Sequence, residues 1–321
     1  MTLETEVSMT LLEPVFEHFS IWGTSGTLGV TDSSVLVEAR AILDEVIRNI
    51  DHAANRFRGE SELLHVNARS GSGPIPVSAI FLDLLGQSAW AYEETQHACD
   101  PTIIDALIAN GYDRDFDELV DLGSGPHAMP SPGMDGIEID YSNSTITLPP
   151  GVHLDFGATA KARASDVAAE RIAQECGVGC LVSLGGDMRV EGPSPADGWM
   201  VGITQSTRPG SADVVDDVVA LHSGALASSS STVRQWKANG EQRHHIIDPS
   251  TGMSAQTPFS LVSVVAPTCV EANAFATASI IWGDDAFFAL PQRGLPLRAL
   301  LFDGSVERGG GWPEPFNELS S

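Results

Sequence analysis

Positive charge is scarce in this chain. Among 321 residues, 17 lysines and arginines stand against 43 aspartates and glutamates, a formal net charge of −26 at pH 7. A field of that sign repels nucleic acid and anionic lipid, and no basic stripe offsets it. It also constrains any phosphate-bearing ligand, which then needs a local cation, backbone N–H donors or a bridging metal. Cysteine is scarce too: Cys99, Cys176, Cys180 and Cys269 are too scattered for a disulfide framework, and no Cys-x-x-Cys pair occurs. Nothing approaches eighteen consecutive apolar residues, so no helical membrane span is expected. The opening residues, MTLETEVSMTLLEPVFEH, lack a basic lead and an apolar core followed by small residues. They do not read as a secretory signal, and a cytoplasmic protein is expected. Internal repeats and long low-complexity linkers are missing as well.

What is present suits a globular core, with 42% apolar residues and a length that allows one large domain or two ordinary ones. Val35, Ala39, Ile42, Val46, Ile50 and Ala53 recur at helical spacing, predicting a helix over 33–54 with Asp32 or Ser33 as its cap. A second helix is predicted over 78–96. Residues 123–133 read as loop, and alternating segments follow around a turn at Ser142-Asn143-Ser144. An alanine-rich helix is expected over 158–176, closed by Gly177. Strands are predicted at 181–184, 199–203, 218–222, 245–247 and 261–266. Thr268-Cys-Val-Glu271 is a capping box that opens a helix ending near Gly283. Strands and helices mix without a regular βαβ alternation, which points to an α+β fold.

Five segments could carry chemistry. His244-His-Ile-Ile-Asp-Pro-Ser-Thr-Gly252 runs from a β-branched stretch into a Pro and Gly turn, gathering polar groups at a strand end, where a scaffold holds binding groups rigidly. Leu184-Gly-Gly-Asp187 also closes an apolar strand, with two glycines that let a backbone approach a ligand and a carboxylate beside them; ordinary hairpins use the same turn. Asp155-Phe-Gly-Ala-Thr-Ala-Lys161 leads into a helix N-terminus, where free N–H groups and a lysine favour an anion. It lacks the P-loop spacing. Asn273 and Thr277 lie four apart on one helix face, so two side-chain oxygens could join a backbone carbonyl around Mg²⁺, although Asn273 brings no charge. Ala98-Cys-Asp-Pro-Thr102 reads as an Asx-type turn. Ser228–Ser231, taken alone, reads as a polar loop.

In this order the segments resemble the ApbE family of flavin transferases, over about residues 22–283. Trp22-Gly-Thr24 stands where the family has Met-Gly-Thr, and Asn55-Arg-Phe57 precedes Ser61-Glu-Leu63. His97-Ala-Cys-Asp-Pro-Thr102, Asp155–Ala162, Leu184–Asp187, His245–Gly252 and Ala272–Thr277 follow in family order. The resemblance implies a single large domain of T-fold-like α+β architecture, with a core at about 20–285 and a tail at about 305–321. It implies a Mg²⁺-dependent FAD:protein FMN transferase, which cleaves the FAD pyrophosphate, attaches FMN to a threonine of an acceptor protein and releases AMP. By motif, the flavin site includes Trp22, Phe57, Ala98, Cys99, Asp100, Asp155, Lys161, His245 and Ile246. The metal falls to the Ala158 carbonyl, Asn273 and Thr277, and the reacting end to His245 and Asp248.

The chain departs from the family pattern in three places. Asn273 replaces an aspartate, Ser230-Ser231 replaces Gly-Asp, and Ala162 replaces a glycine. Two further functions share the motifs: a Mg²⁺-dependent FAD pyrophosphatase with water as nucleophile, and a flavin-binding protein without catalysis.

Overall fold

The computed structural model describes residues 13–114, 116, 119, 129–204, 215–238 and 240–313. The first half forms β1 (Val15–Ile21), β2 (Thr24–Val30), α1 (Leu36–Ala54), α2 (Glu62–Asn67), β3 (Ile75–Pro76), α3 (Ala79–Glu94), α4 (Ile104–Ala109), β4 (Glu138–Asp140), β5 (Thr145–Thr147) and α5 (Ala160–Cys176). Next come β6 (Cys180–Leu184), β7 (Asp187–Glu191), β8 (Trp199–Thr204), β9 (Val215–Leu221), β10 (Gly224–Ser230), β11 (Gln235–Ala238) and β12 (Glu241–His244). The chain finishes with β13 (Ile247–Asp248), β14 (Met253–Ser254), β15 (Phe259–Ala266), α6 (Cys269–Trp282), α7 (Ala286–Gln292), β16 (Leu297–Leu301) and β17 (Val306–Gly309).

Side-chain caps and one glycine set the helix ends. Asp32 accepts from the Ser34 N–H at 2.9 Å and starts a 3-10 turn that feeds α1. Ser78 caps α3 through the Phe81 N–H at 3.1 Å. Thr268 caps α6 through the Glu271 N–H at 3.2 Å. Gly177 closes α5 at φ +69°, a left-handed position that glycine takes without a Cβ clash.

One eight-stranded sheet, ordered β1-β2-β6-β7-β10-β15-β16-β17, organises the molecule, and every neighbouring pair is antiparallel. Period-2 alternation splits its side chains between two cores. Cys180, Val182 and Leu184 of β6 join α1, α3 and α5 on one face, whereas Leu181 joins the β8–β9 hairpin on the other. In β10, Ala225 and Ala227 pack with α6, and Leu226 turns towards the hairpin. Helices on one face and a hairpin on the other make this an α+β fold. The sheet takes in β16 and β17, C-terminal to the core expected at about 20–285.

Some local expectations change. Ser228–Ser230 is not loop but the end of β10, paired with β15 from Ser228↔Ser263 to Ser230↔Leu261. The strand predicted at 245–247 is interrupted. β12 stops at His244 and β13 starts at Ile247, because the Ile246 N–H turns to His244 Nδ1 at 3.3 Å instead of a ladder carbonyl. β9 begins at Val215, earlier than the expected strand at 218–222. The Ser142–Ser144 turn stands between β4 and β5. Of the loop expected at 123–133, residues 123–128 lie outside the described residues, and 129–133 are irregular.

Candidate active site

A cavity of about 740 Å³ opens where the ends of β6, β10 and α1 meet the start of α5 and the middle of α6. All the site residues expected from the sequence line it, except Asp248. The Asp248 carboxylate instead accepts from the Ser250 N–H at 2.9 Å and the Ser250 hydroxyl at 2.7 Å, which shapes the Asp-Pro-Ser-Thr-Gly turn.

Three cations reach this cavity. Lys161, in the first turn of α5, donates to Asp187 Oδ2 at 2.7 Å, and that carboxylate is buried at the start of β7. The pair needs a tight turn between β6 and β7. Gly185 supplies it at φ +68°, where a Cβ would stand 2.8 Å from Thr24 Cγ2. Arg56 lies over the rings of Phe57 and Tyr112, 4.5 and 4.2 Å from their centroids, with Nη1 3.7 Å from Asp155 Oδ2. Asp155 is itself fixed, since its Oδ1 accepts from the Gly157 N–H at 2.7 Å and its own N–H donates to the Pro101 carbonyl at 2.7 Å. Arg234 is the third cation and follows the serine run.

Trp22 takes φ +47° and donates through Nε1 to Asp51 Oδ1 at 2.9 Å, which ties its indole to the end of α1. Asp51 also accepts from Asn55 at 2.8 Å and Arg58 at 2.7 Å. Burial opposes its ionisation, but these donors outweigh burial and hold its carboxyl below the usual range. Asp100 accepts the Thr102 N–H and hydroxyl, both at 2.7 Å, as the expected Asx-type turn requires. Burial pushes its pKa up against those bonds. The Cys99 thiol is pushed up to about 12 by burial and by Asp100, which disfavours its thiolate form. It packs with Ala91 and Ala274, and Ala158 lies against that group. Small side chains here bring α6 close to the start of α5, and Ala98 adjoins them, buried.

The two histidines differ. His244 is buried, with Nε2 donating to the Ala255 carbonyl at 2.9 Å and Nδ1 accepting from Ile246, a structural role. His245 lines the cavity beside Ile246, and its buried Nδ1 has no hydrogen-bond partner among the described residues. Burial first, then the charges of Arg234, His244, Lys161 and Arg56, hold its pKa well below the ordinary 6.5. Its imidazole is therefore neutral near pH 7, with a nitrogen free to accept a proton.

The Ala158, Asn273 and Thr277 set also lines the cavity. Ser229 and Thr277 hydroxyls lie 3.0 Å apart, and the Thr277 hydroxyl donates to Asn273 Oδ1 at 3.2 Å. These are hard oxygens, the type that Mg²⁺ prefers, but all are neutral. Among the described residues no group of three or more His, Cys, Asp or Glu side chains could hold a metal. The set fits a hard cation in donor type, with the balancing charge left to a phosphate ligand.

The sequence profile of the ApbE family matches residues 3–301. The chain belongs to that family. Similar proteins named FAD:protein FMN transferase include one from Haemophilus influenzae, 26% identical over 283 residues, covering 84% of this chain and 78% of that protein. Another from Treponema pallidum is 27% identical over 286 residues, again covering 84% and 78%. Among solved structures, an ApbE protein from Thermotoga maritima superposes with a TM-score of 0.79 at 24% identity, over 92% of this chain and 97% of the other. A flavin transferase ApbE from Vibrio cholerae gives 0.71 at 20% identity, over 92% and 96%. These two likenesses concern the fold.

Arg56, Asp51, Tyr112, Ser229 and Arg234 also line the cavity, beyond the site residues expected from the motifs. Arg56 sits inside the Asn55-Arg-Phe57 motif, and its charge in so acidic a chain was the available signal. Arg234 carried the same signal just past the serine run.

Proposed function

We propose that the protein is a FAD:protein FMN transferase whose acceptor group is a threonine hydroxyl. The observation that carries this reading is the meeting, in one cavity, of the His245 imidazole, three cations and a set of hard oxygen donors. The flavin lies against Trp22, Phe57, Cys99, Asp100 and Ile246, and the diphosphate lies towards Lys161 and the first turn of α5. His245 accepts the proton of the incoming hydroxyl as its oxygen bonds to the FMN phosphorus. The P–O bond of the diphosphate bridge breaks, and AMP leaves with the bridging oxygen. Asp248 shapes the turn after His245 through its bonds to Ser250. Asn273, Thr277 and the Ala158 carbonyl would hold Mg²⁺, which when bound would neutralise charge on the diphosphate.

The test is incubation with FAD, Mg²⁺ and a threonine-bearing acceptor protein, followed by analysis of flavin and nucleotide products. AMP together with acceptor-bound FMN is expected. AMP with free FMN would make the protein a pyrophosphatase, and intact FAD would reduce it to a binding protein.

A further inference from the structure

We propose that Arg234 is the cation this chain aims at the diphosphate of its ligand, held in place by the serine pair at the end of β10. The inference rests on the flavin-transfer reading and adds a ligand-binding residue to it.

Of the three cavity cations, two are already engaged by protein carboxylates: Lys161 by Asp187 at 2.7 Å, and Arg56 by Asp155 at 3.7 Å. Arg234 lines the same cavity, half-buried, and has no ion-pair or hydrogen-bond partner among the described residues. In a chain of net charge −26, carboxylates are plentiful, so an unanswered guanidinium in a cavity is conspicuous. Partial burial of a charge without a partner is unfavourable and is offset when an anion arrives. A guanidinium presents paired N–H groups that match two phosphate oxygens.

The backbone around Arg234 is fixed. Ser230 Oγ accepts from the N–H groups of Thr232 and Val233, at 3.0 and 3.3 Å, and donates to the Ser260 carbonyl at 2.9 Å. Ser231 Oγ donates to the Phe259 carbonyl at 2.7 Å, and the Ser231 carbonyl accepts from Gln235 at 2.8 Å. Trp236 then anchors to the Asn110 carbonyl at 2.7 Å. Both flanks of Arg234 are thereby tied to the body of the molecule, so the guanidinium is presented by a pinned turn. Arg234 and His245 line the same cavity, and the charge of Arg234 adds to burial in lowering that ring's pKa. The neutral Asn273, Thr277 and Ala158 oxygens bring no charge of their own, so this cation acts on a diphosphate with or without a metal.

The test is equilibrium binding of three probes, FAD, riboflavin and inorganic pyrophosphate, to wild type, Arg234→Met and Arg234→Lys, each with EDTA and with Mg²⁺. Thermal melts confirm that the variants fold. The expected result is a loss of about 10- to 100-fold for FAD and pyrophosphate in Arg234→Met under both conditions, with riboflavin unchanged and Arg234→Lys intermediate. Equal FAD affinity in wild type and Arg234→Met overturns the proposal and leaves the flavin reading intact. An equal loss for riboflavin also overturns it, since the residue would then act on the ring system. Arg234-dependent pyrophosphate binding without flavin binding keeps the diphosphate seat and removes the flavin reading. Failure of wild type to bind either FAD or pyrophosphate overturns both. If Arg234→Met does not fold, Arg234→Lys alone decides: FAD and pyrophosphate affinities equal to wild type overturn the seat, and a selective loss supports it.

Discussion

Asn273→Asp offers a direct probe of the oxygen set on α6. Asn273 is 6% exposed, lies on a helix flanked by buried Ala272, Ala274 and Ala276, and meets one hydroxyl donor, Thr277, at 3.2 Å. A carboxylate installed there loses water and gains little in return, so its folded pKa rises above the unfolded value of about 3.9. The sign follows. Below the unfolded pKa both states are protonated and the variant matches wild type; the penalty then grows as pH rises through the folded pKa. At pH 8 without divalent cations, urea unfolding should show the variant less stable by about 1 to 3 kcal/mol, the scale of an unmet buried polar group. At pH 4 the gap should nearly close. If the side chain faces a metal position, Mg²⁺ at a hundred times its Kd restores about 2.7 kcal/mol to the variant. Wild type, with only neutral donors, should gain far less from Mg²⁺ alone. A variant that stays destabilised in Mg²⁺, or a wild type that gains as much, would refute the assignment of α6 as a metal ligand helix.

Three other outcomes are expected. Lys161→Met should cost stability near the lower end of about 3 to 5 kcal/mol, because it strands buried Asp187 while Lys161 keeps some solvent access; adding Asp187→Asn should recover most of that in urea melts, yet leave FAD binding weak in fluorescence titrations. Turnover that depends on neutral His245 should hold at neutral pH and fall only below about 6.5, the ordinary histidine value beneath which its pKa is held; a pH–rate profile with its acid limb above 7 would remove the base role. Asp166 on α5 accepts the N–H groups of Cys269 and Val270, at 2.8 and 3.1 Å, and so caps α6 from another helix. Asp166→Ala should therefore cost about 1 to 3 kcal/mol for each donor left unmet, read from denaturant midpoints, and Asp166→Asn should cost less.

The family and the α+β class were legible because the motifs sit at local junctions, where a strand ends or a helix begins. Caps and glycine turns are short-range chemistry, so Asp32, Thr268 and Gly177 could be read directly. β10 could not, because GALASSS is a poor strand former in isolation. Its small side chains suit a strand covered by α6 on one face, and only tertiary packing makes that choice. His244 and His245 look equivalent in sequence, and their separate fates follow from the Ala255 carbonyl, which captures the first ring. Asp248 looked like a partner for the imidazole, yet the Ser250 N–H and hydroxyl lie closer along the chain. Arg56 and Arg234 stayed hidden because whether a cation finds a carboxylate is decided by residues far away in sequence.

The order of the main sheet has a consequence for fragments. Gly26 pairs with Leu184, so the wall holding Thr24 against Gly185 joins β2 to β6, and Ser230 pairs with Leu261 to join β10 to β15. His245 and α6 arrive later still. Each ladder closes a long loop whose entropy is recovered only when the strands dock, a pattern associated with slow, cooperative folding. No contiguous stretch shorter than Phe16 to Thr277 contains every wall of the cavity. The binding unit is therefore nearly the whole chain, and limited proteolysis inside it should abolish ligand binding instead of releasing a smaller competent piece.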